Sequence, residues 1–369
     1  MNRTWAVVTV VTRNYLHFAR VLAASVRRVH PEVPIVVCLV DELPSGFSAG
    51  DGLNILPAAS LGIPQWRRFL FQYEPFELTC ALKSFLLAHQ LRTGTFDRLL
   101  YLDADIAVYS SLLPLIAALD QANILLTPQL AAPRSVSALD RWEADILDTG
   151  VYNGGFVGVK NSAAGLQMLD WWQTRVAQHC KRNINYVDQG WLNAVPAIFD
   201  GVHIERGAPF NLTPQNLHNC SVSRDASGQP MVDGRPLSFF HFVGIDPLQS
   251  ATLSKASRRP LSEESPVVQE LYNAYVRELH TRGLAPCTQL GYGHARLSDG
   301  SVIQESWREL IRLDHPALSA VEDPFAVSGK EFQKIARNEK IKINAGKIRR
   351  GFKQIAGFLP AWFLKSERP

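Results

Sequence analysis

Hydrophobic positions along the first half of the chain fall into two alternating patterns. Trp5–Val11 is a nearly unbroken β-branched apolar run, which reads as a buried strand. Residues 15–29 follow with apolar side chains at 15, 18, 19, 22, 26 and 29, one face of a helix. The alternation repeats. Residues 34–40 form a second apolar run, 77–92 a helix, Arg98–Leu102 a buried strand, 111–120 a helix and 123–127 a short strand. Strands that are apolar on both faces, separated by helices, predict a mainly parallel α/β sheet covered on both sides. Such sheets bind ligands beyond the carboxyl ends of their strands.

The second half is more mixed. Residues 151–159 are strand-like but contain three glycines, and 163–180 form a strong helix pattern. A strand is expected at 236–242, and helices at 267–282 and 303–313. With no repeat and no low-complexity linker, the simplest division is a catalytic domain over 1–320 and a tail over 321–369. In that tail Ile341, Ile348, Phe352, Ile355, Leu359 and Trp362 line up on one helical face among lysines and arginines. A basic amphipathic helix of this kind suits an anionic membrane surface; docking of the stripe on the body is the alternative.

Charge sharpens that division. The 369 residues carry a net charge of +4, yet residues 330–369 hold eleven Lys or Arg against three Glu. The rest therefore has 27 basic and 31 acidic residues, which argues against a nucleic-acid partner. A hydrophobic content of 46% with 20% charged residues excludes a disordered, collagen-like or coiled-coil chain. No run of 18 apolar residues reads as a membrane span, and the short apolar stretch at the N-terminus reads as a strand, not as a signal peptide. Five scattered cysteines without CxxC spacing point to a reducing, cytoplasmic setting.

The strongest local chemical signal is Asp103-Ala-Asp105, directly after the strand Arg98–Leu102. Continued extended geometry would put both carboxylates on one side of the chain, where they could hold a hard divalent cation against phosphate oxygens. Two other uses stay open. One Asp can cap a turn while the other is solvated, or Asp103 can be the nucleophile of a haloacid dehalogenase-type phosphatase. Elsewhere Asp188 is a candidate helix cap, and Gly154 and Gly155 permit a bulge or a close backbone approach.

Taken in order, Thr9-Val-Val-Thr-Arg-Asn-Tyr15, Lys83, the Asp103/Asp105 pair, Tyr152-Asn-Gly-Gly-Phe156, Asp188-Gln-Gly-Trp-Leu-Asn193 and His241-Phe-Val-Gly244 resemble family 8 of the glycosyltransferases. That family includes glycogenin and the bacterial lipopolysaccharide glucosyl- and galactosyltransferases. The resemblance spans roughly residues 5–250. The stretches 73–83, 210–216 and 239–247 also look like a bacterial subgroup of glycosyltransferases without a firm acceptor.

The resemblance implies a GT-A nucleotide-diphospho-sugar transferase fold, a divalent metal (Mn²⁺ or Mg²⁺), a nucleotide-sugar donor such as a UDP-sugar, and retention of configuration. It places Asp103, Asp105 and His241 on the metal, and Lys83 near the donor phosphates. Thr9, Thr12 and Tyr15 go to the base and ribose. Asn153, Gly154 and Gly155 go to the donor sugar and Gly244 to the last motif. Asp188 and Gln189 stand at the reacting end of the sugar. Two carboxylates and an imidazole form a donor set that suits Mn²⁺. The chain departs from the family after Gly244, where Asp246 stands near the position of a diphosphate-binding lysine; Lys255, Arg258 or Arg259 could restore the charge. The expected activity is transfer of a sugar to a glycan, lipid-linked or protein acceptor, with the tail reaching the cytoplasmic membrane face. A catalytically silent sugar-nucleotide-binding module is the competing reading.

Overall fold

A computed structural model describes residues 4–50, 52–130, 132, 146–182, 186–249, 251–255 and 260–338. Its strands are β1 (Trp5–Val11), β2 (Ile35–Leu39), β3 (Asn54–Pro57), β4 (Arg98–Leu102), β5 (Ile106–Val108), β6 (Ile124–Pro128), β7 (Tyr152–Lys160), β8 (Val202–Ile204), β9 (Val222–Arg224), β10 (Pro230–Val232), β11 (Arg235–Pro236) and β12 (Phe239–His241). The named helices are α1 (Leu16–Val29), α2 (Trp66–Phe71), α3 (Pro75–Arg92), α4 (Leu113–Gln121), α5 (Ala163–Val176), α6 (Gln189–Leu192), α7 (Val195–Ile198), α8 (Pro266–Thr281), α9 (Leu284–Gln289) and α10 (Glu305–Arg312).

Seven strands form one sheet in the order β3-β2-β1-β4-β7-β6-β8. The first four are mutually parallel, as the unbroken apolar runs of β1, β2 and β4 predict; β3 is short and partly exposed. β7 runs antiparallel to both β4 and β6, and β8 is again parallel to β6. The sheet is therefore mixed but mostly parallel.

The two faces of the sheet divide by strand alternation. Val7 and Val11 of β1, Ile35, Val37 and Leu39 of β2, and Leu100 and Leu102 of β4 share one core with α1 and α4. On the opposite face α3 packs against β1 and α5. That helix begins where Glu74 and Glu77 cap each other's backbone and Pro75 occupies the first turn.

Several boundaries differ from the sequence reading for local reasons. The expected strand at 236–242 is split, because Arg235–Pro236 pairs with β10 whereas Phe239–His241 pairs with β5. The short strands β3, β5, β8, β9, β10 and β11 carry too few residues for a clear period and went unread.

Contacts divide the chain into two compact units: residues up to Trp66 with Tyr73–Gly293, and Arg67–Gln72 with the chain from His294. The sequence reading had placed its boundary at 320. Within the second unit the Arg68 guanidinium donates to Leu318 O (2.7 Å) and Val321 O (2.8 Å) and pairs with Asp314 (2.7 Å). The Phe71 and Trp307 rings each stack on Phe332 with centroids 5.3 Å apart. The amphipathic stripe expected over 341–362 lies outside the described residues. No described helix is long and apolar enough to cross a membrane.

Candidate functional site

The two acidic residues after β4 converge through a turn, not through extended backbone. β4 ends at Leu102, and Ile106 N–H donates to Asp103 O (3.1 Å), closing a tight turn over 103–106. The expectation of continued extended geometry is thus corrected. The turn sends β5 away to pair antiparallel with β12, with His241 opposite Ile106. That register sets the imidazole beside both carboxylates. His241 Nε2 lies 3.0 Å from Asp105 Oδ1 and 3.8 Å from Asp103 Oδ2. One ligand atom from each of the three falls within 4.8 Å of the others.

Gly155 makes this approach possible. A Cβ on Gly155 would meet His241 Cε1 at 2.2 Å and Asp103 Oδ2 at 2.8 Å, so any side chain there would enter the cluster. Its carbonyl also accepts from Asp103 N–H (2.8 Å), fixing the start of the turn. A ring nitrogen and two carboxylates over a wall that only glycine can form fit a hard-to-borderline divalent cation. Burial works against charge on His241, but the adjacent Asp105 carboxylate prevails and raises its pKa. Burial likewise opposes ionisation of Asp105, and the His241 ring overrides it and lowers the pKa. Each group favours its charged form because the other is beside it, so the two stabilise one another.

Behind it sits a buried cation. The Lys83 ammonium, on α3, donates to Gly154 O (2.9 Å) and lies 3.2 Å from Asp103 Oδ1 and 3.3 Å from Asp188 Oδ2. The carbonyl takes a hydrogen bond from the ammonium, and the two carboxylates are its ion-pair partners. Burial disfavours its charge, yet Asp103 and Asp188 together raise its pKa well above the ordinary lysine value. Tyr101 O–H donates to the same Asp103 oxygen (2.8 Å), and Lys83 lies 5.1 Å from the Tyr101 ring centroid. Asp188 makes no side-chain cap at the start of α6; its carboxylate turns inward to Lys83 instead. Burial raises its pKa, and Lys83 offsets part of that.

The donor-sugar candidates interlock. Gln189 Oε1 accepts from Gly154 N–H (2.9 Å) and Gln129 Nε2 (3.0 Å), while its Nε2 donates to Thr149 O (2.7 Å). Asn153 Oδ1 accepts from Gly155 N–H (2.7 Å), and its Nδ2 donates to Asn211 Oδ1 (3.3 Å) and lies 3.4 Å from His241 Nδ1. Asp188, Gln189, Asn153, Gly154 and Gly155 therefore form one bonded scaffold with the metal candidates.

A cleft of about 650 Å³ opens in front of it, lined by Thr12, Tyr15, Lys83, Asp103, Asp105 and Gly244 among others. Gly244 adopts φ +70°, a left-handed conformation suited to glycine, and its carbonyl accepts from Lys255 N–H (2.9 Å). Thr9 does not reach the cleft: it is fully buried in β1 and absent from the lining. The side chain two residues past Gly244 is engaged too, since Asp246 pairs with Lys255 (3.1 Å), and Lys255 itself lines the cleft. Arg258 and Arg259 lie outside the described residues.

Asn14, Phe76, Arg182 and Tyr292 also line the cleft and were not singled out from sequence. Phe76 lay within the quoted stretch 73–83, so a clue existed; Tyr292 lies far along the chain with no motif around it. Tyr101 was readable only as a strand residue.

No protein-family model matches the chain. It is 25% identical over 278 residues to the uncharacterized protein YfnF of Bacillus subtilis (strain 168), spanning 73% of this chain and 90% of that protein. With uncharacterized YfnD of the same organism it shares 25% identity over 184 residues, 48% of this chain and 56% of that protein. Similar solved structures include a galactosyltransferase, LgtC, in complex with donor and acceptor sugar analogues (TM-score 0.43, 18% identity, 73% of this chain and 95% of that one). Mouse xyloside xylosyltransferase 1 in its apo form gives TM-score 0.40 at 13% identity over 64% and 97%. The glycosyltransferase GlyE of Streptococcus pneumoniae TIGR4 gives 0.41 at 16% over 77% and 64%.

Proposed function

We propose that the chain is a GT-A-type, metal-dependent glycosyltransferase. It takes a nucleotide-diphosphate sugar, a UDP-sugar in the first instance, and passes the sugar with retention to a glycan, lipid-linked or protein acceptor. The observation that carries this reading is the cluster of Asp103, Asp105 and His241, whose two carboxylates follow β4 and line the 650 Å³ cleft while the buried His241 stands behind them. A cleft beyond a strand end with convergent polar groups is where an α/β sheet binds its ligand.

Asp103, Asp105 and His241 would hold Mn²⁺ or Mg²⁺. When bound, the cation supplies positive charge against the diphosphate as its bond to the sugar breaks. Lys83, ion-paired to both carboxylates, acts by holding Asp103 and Asp188 in place. The Tyr15 ring, 54% exposed at the cleft, offers an apolar face to the nucleotide beside Thr12. Asn153, Asp188 and Gln189 set the backbone of Gly154 and Gly155 at the sugar end. Phosphatase chemistry at Asp103 is the poorer fit, because its oxygens are shared among Tyr101, Lys83 and the neighbouring imidazole.

The test is release of free nucleotide from a panel of nucleotide-sugars with Mn²⁺. One donor is expected to turn over in the wild type and to fail in folded Asp103→Asn and Asp105→Asn variants. Full turnover in either variant overturns the metal assignment, and no turnover of any donor favours the silent binding module. The basic segment 330–369 is proposed to bring this chemistry to the cytoplasmic membrane face. Removal of residues 339–369, which leaves Phe332 and its stacking partners in place, is expected to abolish sedimentation with anionic liposomes while donor hydrolysis continues.

A further inference from the structure

Building on the glycosyltransferase reading, we infer that a groove beside the metal centre takes an acceptor bearing an anionic group, a carboxylate or a phosphate. Two adjoining cavities of about 230 Å³ and 260 Å³ share one side chain, Arg206. The first is walled by Pro128, Tyr152 and Ile204, the second by Pro209, Arg235 and Asp233.

The walls are bonded to the catalytic scaffold. Asn211, two residues past Pro209, donates to Pro128 O (3.4 Å) and accepts from Asn153, which itself touches His241. Gln129, next to Pro128, donates to Gln189. The groove therefore begins one side chain away from the residues assigned to the donor sugar. That is the place from which an acceptor hydroxyl would approach.

Its charged groups are close but not joined: Arg206 and Arg235 stand with Asp233, and Glu205 Oε1 and an Arg235 nitrogen both border Gly207. Arg206 and Arg235 are both exposed, and among the described residues neither pairs with a carboxylate. Arg206 reaches only Ile204 O at 3.5 Å, and Arg235 lies over the Phe210 ring at 5.6 Å. The nearby acids bond to backbone N–H groups and to His203, not to either arginine. Asp233 Oδ1 accepts from Ser221 N–H (2.8 Å), and Glu205 accepts from Gly207 N–H (2.7 Å) while facing His203 at 3.7 Å. Two guanidinium groups without ionic partners on a concave surface match the planar, bidentate geometry of a carboxylate or phosphate. Pro128, Tyr152 and Ile204 offer an apolar wall for the face of a sugar ring.

The experiment uses the full chain with EDTA, so that no cation can draw a phosphate into the donor cleft. Binding of methyl β-D-glucuronide, glucose 6-phosphate and neutral methyl β-D-glucoside is followed by saturation-transfer NMR. One or both anionic probes are expected to bind at least about tenfold more tightly than the neutral one. Which of them binds identifies a uronate or a phosphorylated acceptor. In an Arg206→Gln/Arg235→Gln variant that difference is expected to vanish, while Mn²⁺ affinity and acceptor-independent donor hydrolysis stay at wild-type values. Equal binding of neutral and anionic probes by the wild type, or an anionic preference surviving in the double variant, overturns the inference. Failure of the glycosyltransferase reading looks different: donor and Mn²⁺ are then not used, whatever the groove binds.

Discussion

Two buried cations, one in each unit, show how the same electrostatic problem can serve different ends. Lys83 and Arg68 are both largely removed from solvent, and each gathers three oxygen partners. Arg68 spends its guanidinium on two backbone carbonyls and the carboxylate of Asp314. Lys83 spends its ammonium on one carbonyl and two carboxylates, of which Asp103 also faces the candidate cation site. A planar fork suits the tying of loop carbonyls, whereas a compact point charge suits a gap between two acids. The first arrangement holds a fold together. The second also transmits its geometry to a site.

The largest effect that can sharpen this comparison is expected at the cation ligands themselves. Asp103→Asn and Asp105→Asn should each lower Mn²⁺-dependent nucleotide release by roughly 10²–10³-fold, the scale of losing one preorganised electrostatic stabiliser. Lys83→Met comes next, with turnover down about 10–100-fold, as for a residue that orients a ligand, together with a lower melting temperature. If that variant melts early but keeps its turnover, Lys83 is as purely structural as Arg68 and the contrast fails. Arg68→Met should destabilise its unit by about 2 kcal/mol in urea unfolding, since the carbonyls of Leu318 and Val321 lose their donor. Mn²⁺ affinity, measured by electron paramagnetic resonance, should not change.

The smallest expected effect concerns a buried group that neither cation touches. Burial, reinforced by Arg20 and His280, pushes the His17 ring down from about 6.5 to about 4. The unfolded chain therefore takes up this proton first. Stability from His17 is complete above about pH 6.5, declines as the pH falls toward 4, and levels off below that. In His17→Leu the urea midpoint should fall less between pH 7 and pH 4 than in the wild type. Parallel pH curves for the two proteins would contradict this.

The parallel half of the sheet was readable because each of its buried strands is an unbroken apolar run. β1, β2 and β4 match their expected positions within a residue or two. The chemistry was half readable. Asp103, Asp105, the Asn153-Gly-Gly stretch and His241 stand out as motifs, but nothing local says that a turn joins the acids. Nor does it say that β12 lies antiparallel on β5 and so delivers the imidazole. Asp188 illustrates the limit well: beside a helix start it looks like a cap, and only the position of α3 reveals Lys83 as its partner. Thr9 illustrates the converse, since membership in a motif did not bring it to the cleft.

The sequence by itself determined the alternation of strand and helix, the identity of the acids after β4 and the concentration of positive charge at the C-terminal end. These follow from side-chain type and short-range periodicity. Only the tertiary structure decided that β7 runs against its neighbours and that Gly155 leaves room for His241. It alone decided that two arginines flank one groove, unpaired with any carboxylate among the described residues. Those outcomes depend on packing between residues tens to hundreds of positions apart, where desolvation and close approach, not local propensity, select the arrangement.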